Sequence, residues 1–148
     1  MEAGLIPVGP KDLYEALVLV EQGLGWPGIL PALRQTVDEP LATLALGEEL
    51  GLWRQQGFSL GLTLAGRAWL EDPARPPEAL FHLLEALPWV EVLEALEEKE
   101  VLRLPHLLPL FPPGPRGEKA ARALAEWGGV LGLWDYEERR EEIRRCAS

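Results

Sequence analysis

A mainly helical fold carrying one small β-hairpin is predicted by three features of this 148-residue chain. Leu and Ala dominate a composition that is 47% hydrophobic and poor in β-branched residues, which favours helices. Apolar residues recur at helical spacing through most of the length. A single stretch, Gly57-Phe58-Ser59-Leu60-Gly61-Leu62-Thr63, breaks that rhythm with strand-like alternation and then a helix cap.

Taken in order, Pro10 and Asp12 suit a helix start. From Lys11 to Gln22, Leu13, Ala16, Leu17 and Val20 form an apolar stripe that Val18 and Leu19 broaden, and Gly23-Leu24-Gly25 ends the helix. Trp26-Pro27 opens a second short helix to about Gln35, with Ile29, Leu30 and Leu33 inward. Asp38 or Thr36 is the expected cap of a third, in which Leu41, Leu44, Ala45 and Leu50 supply the stripe and Gly51 stops it. Leu52–Gln55 and Phe58–Leu62 read as the arms of a hairpin, with Phe58 and Leu60 on its half-buried face. Thr63 then caps a helix by accepting from Ala65 or Gly66. Three helices, a hairpin and an exit helix are the order of a winged helix-turn-helix.

Glu71-Asp72-Pro73-Ala74-Arg75-Pro76-Pro77 excludes helix and marks a joint. The chain is expected to be one domain, residues 1–148, with a winged-helix-like lobe over 8–72 packed on a helical lobe over 73–148. In the second lobe, helices are predicted from Pro77 to about Leu87, from Trp89 to about Glu100 with Trp89, Val92, Leu93 and Leu96 inward, and from Gly117 to Gly128 with Ala120, Ala121, Leu124 and Trp127 inward. Leu104 to Pro113 is too proline-rich for a long element and reads as a packed connector. In Trp127-Gly128-Gly129-Val130-Leu131-Gly132-Leu133-Trp134-Asp135-Tyr136, aromatic rings are expected to pack over glycines. The charged run from Glu137 reads as an exposed tail helix with Glu141 paired to Arg145.

Chemistry is sparse. No glycine cluster precedes Lys-Ser or Lys-Thr, so the chain has no ATP-binding loop. His82 and His106 are isolated in apolar surroundings and read as packing residues; no metal or other cofactor is expected. Neither serine sits in a nucleophile elbow, and the paired carboxylates are helix-surface neighbours. The protein is therefore expected not to be an enzyme. Cys146, the single cysteine, forms no internal disulfide, and the absence of a signal sequence or apolar span leads to a cytoplasmic expectation without membrane insertion.

The formal net charge is −10, with four basic against eight acidic residues in 1–70 and ten against sixteen in 71–148. Such a field repels phosphate, and the helix before the hairpin, Glu39–Leu50, has no basic residue. Nucleic acid is not the expected partner.

Two groups of residues carry a family resemblance. Leu62-Thr63-Leu64-Ala65-Gly66-Arg67 with Trp69-Leu70 looks like a Leu-Thr-x-x-Gly-Arg element, and Ala45–Gly51 is similar to the helix ending in Leu-Gly before it. Downstream, Pro88-Trp89-Val90 with Leu96 is similar to a Pro-Leu-Val helix start, and Trp127-Gly128 with Leu131, Leu133 and Tyr136 resembles a closing Trp-Gly-Arg-Tyr-x-Glu-Leu-Phe-x-Tyr-Asp signature. These motifs belong to the C-terminal AAA-associated domain found behind the ATP-binding subunits of nitrate/sulphonate/bicarbonate-type ABC importers. The resemblance spans roughly 5–143; Gly129 and Gly132 stand where the family has Arg and Glu.

It implies a regulatory or docking domain, expected here to act in trans on an importer ATPase subunit or to be a descendant put to other use. Arg67 is the expected partner of a carboxylate in the second lobe, and Trp89, Trp127, Trp134 and Tyr136 are candidate interaction or inter-lobe residues. Two other readings stand beside this one: a winged-helix transcription regulator, and a small-ligand sensor with an aromatic pocket between the lobes. A homodimer is expected, because the tail helix and the connector offer pairable surface.

Overall fold

The computed structural model describes residues 8–25, 27–76, 78 and 88–146. The chain is mainly helical with two small antiparallel sheets. It divides into two compact units, one of residues 10–82 and the other of residues 1–9 with 83–148.

The first unit opens with α1 (Pro10–Glu21), whose Leu13, Ala16, Leu17 and Val20 are buried as the stripe predicts. α2 (Ile29–Arg34) follows, then α3 (Pro40–Glu49), the hairpin strands β1 (Trp53–Gln56) and β2 (Ser59–Leu62), and α4 (Leu64–Glu71). Three details differ from expectation. The N-cap of α3 is Glu39, with no side-chain cap bond; Pro40 has no N–H to satisfy at the first helical position. The buried face of α3 is Thr43, Leu44, Leu46 and Gly47, leaving Leu41 and Ala45 exposed. α3 is apolar nearly all round, so its orientation is set by what lies against Gly47, which is the Trp53 ring. Phe58 occupies the two-residue loop with Gly57 and is 84% exposed, while Leu60 alone faces inward. Thr63 does cap α4, its hydroxyl accepting from the Gly66 N–H at 3.1 Å. Tyr14 of α1 packs edge-on to Trp69 of α4, with centroids 5.2 Å apart, and donates to the Leu70 carbonyl at 3.1 Å.

The second unit contains α5 (Trp89–Lys99), β3 (Val101–Arg103), α6 (Leu104–Leu107), a 3-10 turn over Leu108–Leu110, α7 (Pro115–Val130), β4 (Trp134–Glu137) and β5 (Glu142–Arg145). Ala120, Ala121, Leu124 and Trp127 line the buried side of α7. Leu93 is on the rim of α5, at 36% exposure, and Val92 and Leu96 face inward.

The charged run from Glu137 is a hairpin rather than a tail helix. β5 is the central strand of a sheet ordered β3-β5-β4, pairing Leu102 with Ile143 and Tyr136 with Ile143. Ile143 is 1% exposed and carries the hydrophobic burial that anchors the strand. Glu142 is buried as well; its carboxylate accepts from Arg144 Nε at 2.9 Å and lies 3.5 Å from Arg103 Nε. Consequently Glu141 and Arg145 do not pair: Arg122 holds Glu141 at 3.3 Å, and Glu100 lies 3.7 Å from Arg145. The dimer expectation loses the tail helix as one of its two supports. The helix predicted over 77–87, with His82, lies outside the described residues, as does Trp26.

Candidate docking surface

Each unit joins a helix to a hairpin through the same sequence, Leu50-Gly51-Leu52-Trp53 and Leu131-Gly132-Leu133-Trp134. The geometry repeats as well. Gly51 and Gly132 have φ of 75° and 79°, the left-handed conformation glycine adopts without cost. The Leu52 N–H donates to Gly47 O at 2.9 Å, and the Leu133 N–H to Gly128 O at 2.8 Å. Trp53 Nε1 donates to Leu44 O at 3.2 Å, and Trp134 Nε1 to Ala125 O at 2.9 Å. Both indoles lie flat on a helix glycine, Gly47 or Gly128, where an added Cβ would fall 2.0 Å from a ring carbon. Upstream, Glu15-Ala16-Leu17 of α1 and Glu94-Ala95-Leu96 of α5 occupy matching helix positions.

The candidate aromatic residues are components of the second unit's core. Trp127 is fully buried and donates from Nε1 to Val8 O at 2.8 Å, tying residue 8 to α7. Trp89 and Trp134 come together with centroids 5.5 Å apart. Tyr136 is half-buried over Gly129. Burial, helped by Glu126, Glu138 and Glu141, pushes its hydroxyl pKa up to about 12. Arg67 is exposed on α4 and makes no ion pair with a described residue of its own unit.

The surface of the first unit has a different character. Along α3 the exposed residues are Leu41, Ala45, Glu48 and Glu49, one stripe at helical spacing. Leu41 is 66% exposed, Phe58 at the hairpin tip 84% and Leu64 at the start of α4 88%. Sequence reasoning placed Leu41 and Phe58 inward. The signal that could have corrected Phe58 is its position after Gly57 in a tight loop. In the first turn of α1, burial raises the Asp12 carboxyl pKa against a backbone hydrogen bond from Asp38, and the neighbouring Asp38 and Glu15 add to the rise.

On the second unit, α7 exposes Arg116 and Arg122, and Arg122 is held by Glu118 at 2.9 Å as well as by Glu141. A groove of about 560 Å³ runs along Pro105, Leu108, Pro109, Phe111 and Pro115. Among the described residues no helix is long and apolar enough to cross a membrane, and no three His, Cys, Asp or Glu side chains converge to hold a metal ion. No family model, curated protein or solved structure matches this chain.

Proposed function

We propose that this chain is a non-enzymatic regulatory or docking module that works through protein–protein contact, in the manner of the C-terminal AAA-associated domains it resembles. Its proposed partner is the ATP-binding subunit of an ABC importer. The observation that carries this reading is the surface of the first unit: α3, the third helix and the one directly before the hairpin, as a recognition helix is in a winged helix, exposes leucine, alanine and two glutamates, and the hairpin tip exposes a phenylalanine. A helix that reads DNA needs Arg, Lys, Asn or Gln toward the bases and cations toward the phosphates. Exposed large apolar side chains on a folded surface instead suit a protein contact. The test is a pull-down with the importer ATPase encoded in the same genome, followed by an ATPase assay. Association with a changed ATPase rate is expected; neither association nor a rate change would overturn the reading.

A transcription-regulator reading draws on the second unit, where Arg116 of α7 and Arg139 of the second hairpin loop are exposed and unpaired among the described residues. Titration with duplex DNA at several salt concentrations separates the two, since phosphate contacts make affinity fall steeply with salt.

A further inference from the structure

The repeated helix–hairpin junction allows the two units to be compared position by position. Leu41 stands six residues before Gly47, and Arg122 six before Gly128. Phe58 immediately precedes β2, and Glu141 immediately precedes β5. In the second unit the two counterparts touch: the Arg122 guanidinium lies 3.3 Å from the Glu141 carboxylate and joins the helix to its wing. In the first unit the same two places hold Leu41 and Phe58, and both side chains are largely in solvent. An ion pair that satisfies itself in one copy is thus replaced in the other by apolar groups that do not.

We infer that the chain is a tandem of two copies of one helix–wing unit, and that the first copy alone has turned its helix and wing tip, at Leu41 and Phe58, into a docking surface. Its occupant is a segment of another protein that carries an apolar anchor flanked by lysine or arginine. Apolar complementarity comes from Leu41, Ala45 and Phe58; charge complementarity comes from Glu48 and Glu49 on the same stripe of α3, within a unit that has five basic and ten acidic residues over 10–82. This rests on the protein-contact reading above and narrows the surface that makes the contact.

The experiment uses the full chain and three helical peptides as probes: leucine–lysine, leucine–glutamate, and glycine–lysine of equal charge. Binding is measured by calorimetry for the wild type, a Leu41→Ser/Phe58→Ser variant, and a Val90→Ser control that removes an exposed apolar residue of the second unit. The expected result is binding of the leucine–lysine peptide alone, weakened at least about tenfold by the double substitution and unchanged by the control. The inference fails if the leucine–lysine peptide does not bind, if the double variant binds it as well as the wild type, or if either other peptide binds equally. It fails too if sedimentation shows a homodimer that the double variant dissociates, because the occupant would then be a second copy. Should peptide binding depend on Leu41 and Phe58 while the importer ATPase fails to associate, the docking surface stands and the importer reading falls.

Discussion

At the scale of single residues, Gly47 and Gly128 are the positions least open to change. A Cβ at either would meet the face of a fully buried indole whose N–H is already engaged, so ring and helix would have to part. Gly47→Ala and Gly128→Ala should each cost about 3 kcal/mol, at the upper end of overpacking costs, and chemical denaturation of the two variants checks this. Equivalent losses are expected because the two contacts share one geometry. Arg67→Ala should by contrast change stability by less than about 0.5 kcal/mol, the usual range for exposed side chains. Tyr136 predicts a pH effect. Its hydroxyl is held at about 12 when folded, against 10.0 when exposed. Between those values the unfolded chain has lost the proton and the folded chain keeps it, so stability falls as pH rises from 10 toward 12. Tyr136→Phe should flatten that part of a stability–pH curve and leave neutral pH unaffected by titration.

At the scale of elements, α4 depends on its cap. Thr63 satisfies the Gly66 N–H and also donates to the Gly51 carbonyl, so one hydroxyl joins the end of the hairpin to the residue that terminates α3. Thr63→Ala should destabilise by about 1–2 kcal/mol, and Thr63→Ser should recover most of it; thermal unfolding of the pair is the measurement. The stripes of α1, α5 and α7 were legible because a helix meets its neighbours within four residues, and apolar side chains at that spacing have only one side on which to gather. β3 and β5 were not legible. Val101-Leu102-Arg103 is short, and Glu142-Ile143-Arg144-Arg145 is three-quarters charged; β3 becomes a strand only through β5, roughly forty residues away, and β5 is held between that distant partner and β4. Burial of Glu142 depends on Arg103 and Arg144 reaching it, which no local rule anticipates.

At the scale of the whole molecule, a net charge of −10 surrounds two units of similar build. That field should keep duplex DNA away at physiological ionic strength, where screening acts over about 8 Å. A mobility-shift titration is expected to give no salt-dependent complex, and a complex lost steeply with added salt would count against the protein-contact reading. The candidate surface lies where the second unit keeps an Arg–Glu pair and the first shows Leu41 and Phe58.

From its order of residues alone the chain specifies a mainly helical fold, the buried faces of α1 and α7, a hairpin turning at Gly57 and the Thr63 cap. All of these follow from interactions between near neighbours. The repeat of Leu-Gly-Leu-Trp at 50–53 and 131–134 is equally present in the text, though its meaning lies in the left-handed glycine and the indole it seats on the preceding helix. Tertiary structure settled which side of α3 turns inward, the pairing of β3 with β5, and the exposure of Leu41 and Phe58. An apolar residue has no preferred side until something distant packs against its neighbours; here the Trp53 ring on Gly47 claims one face of α3 and leaves Leu41 outside.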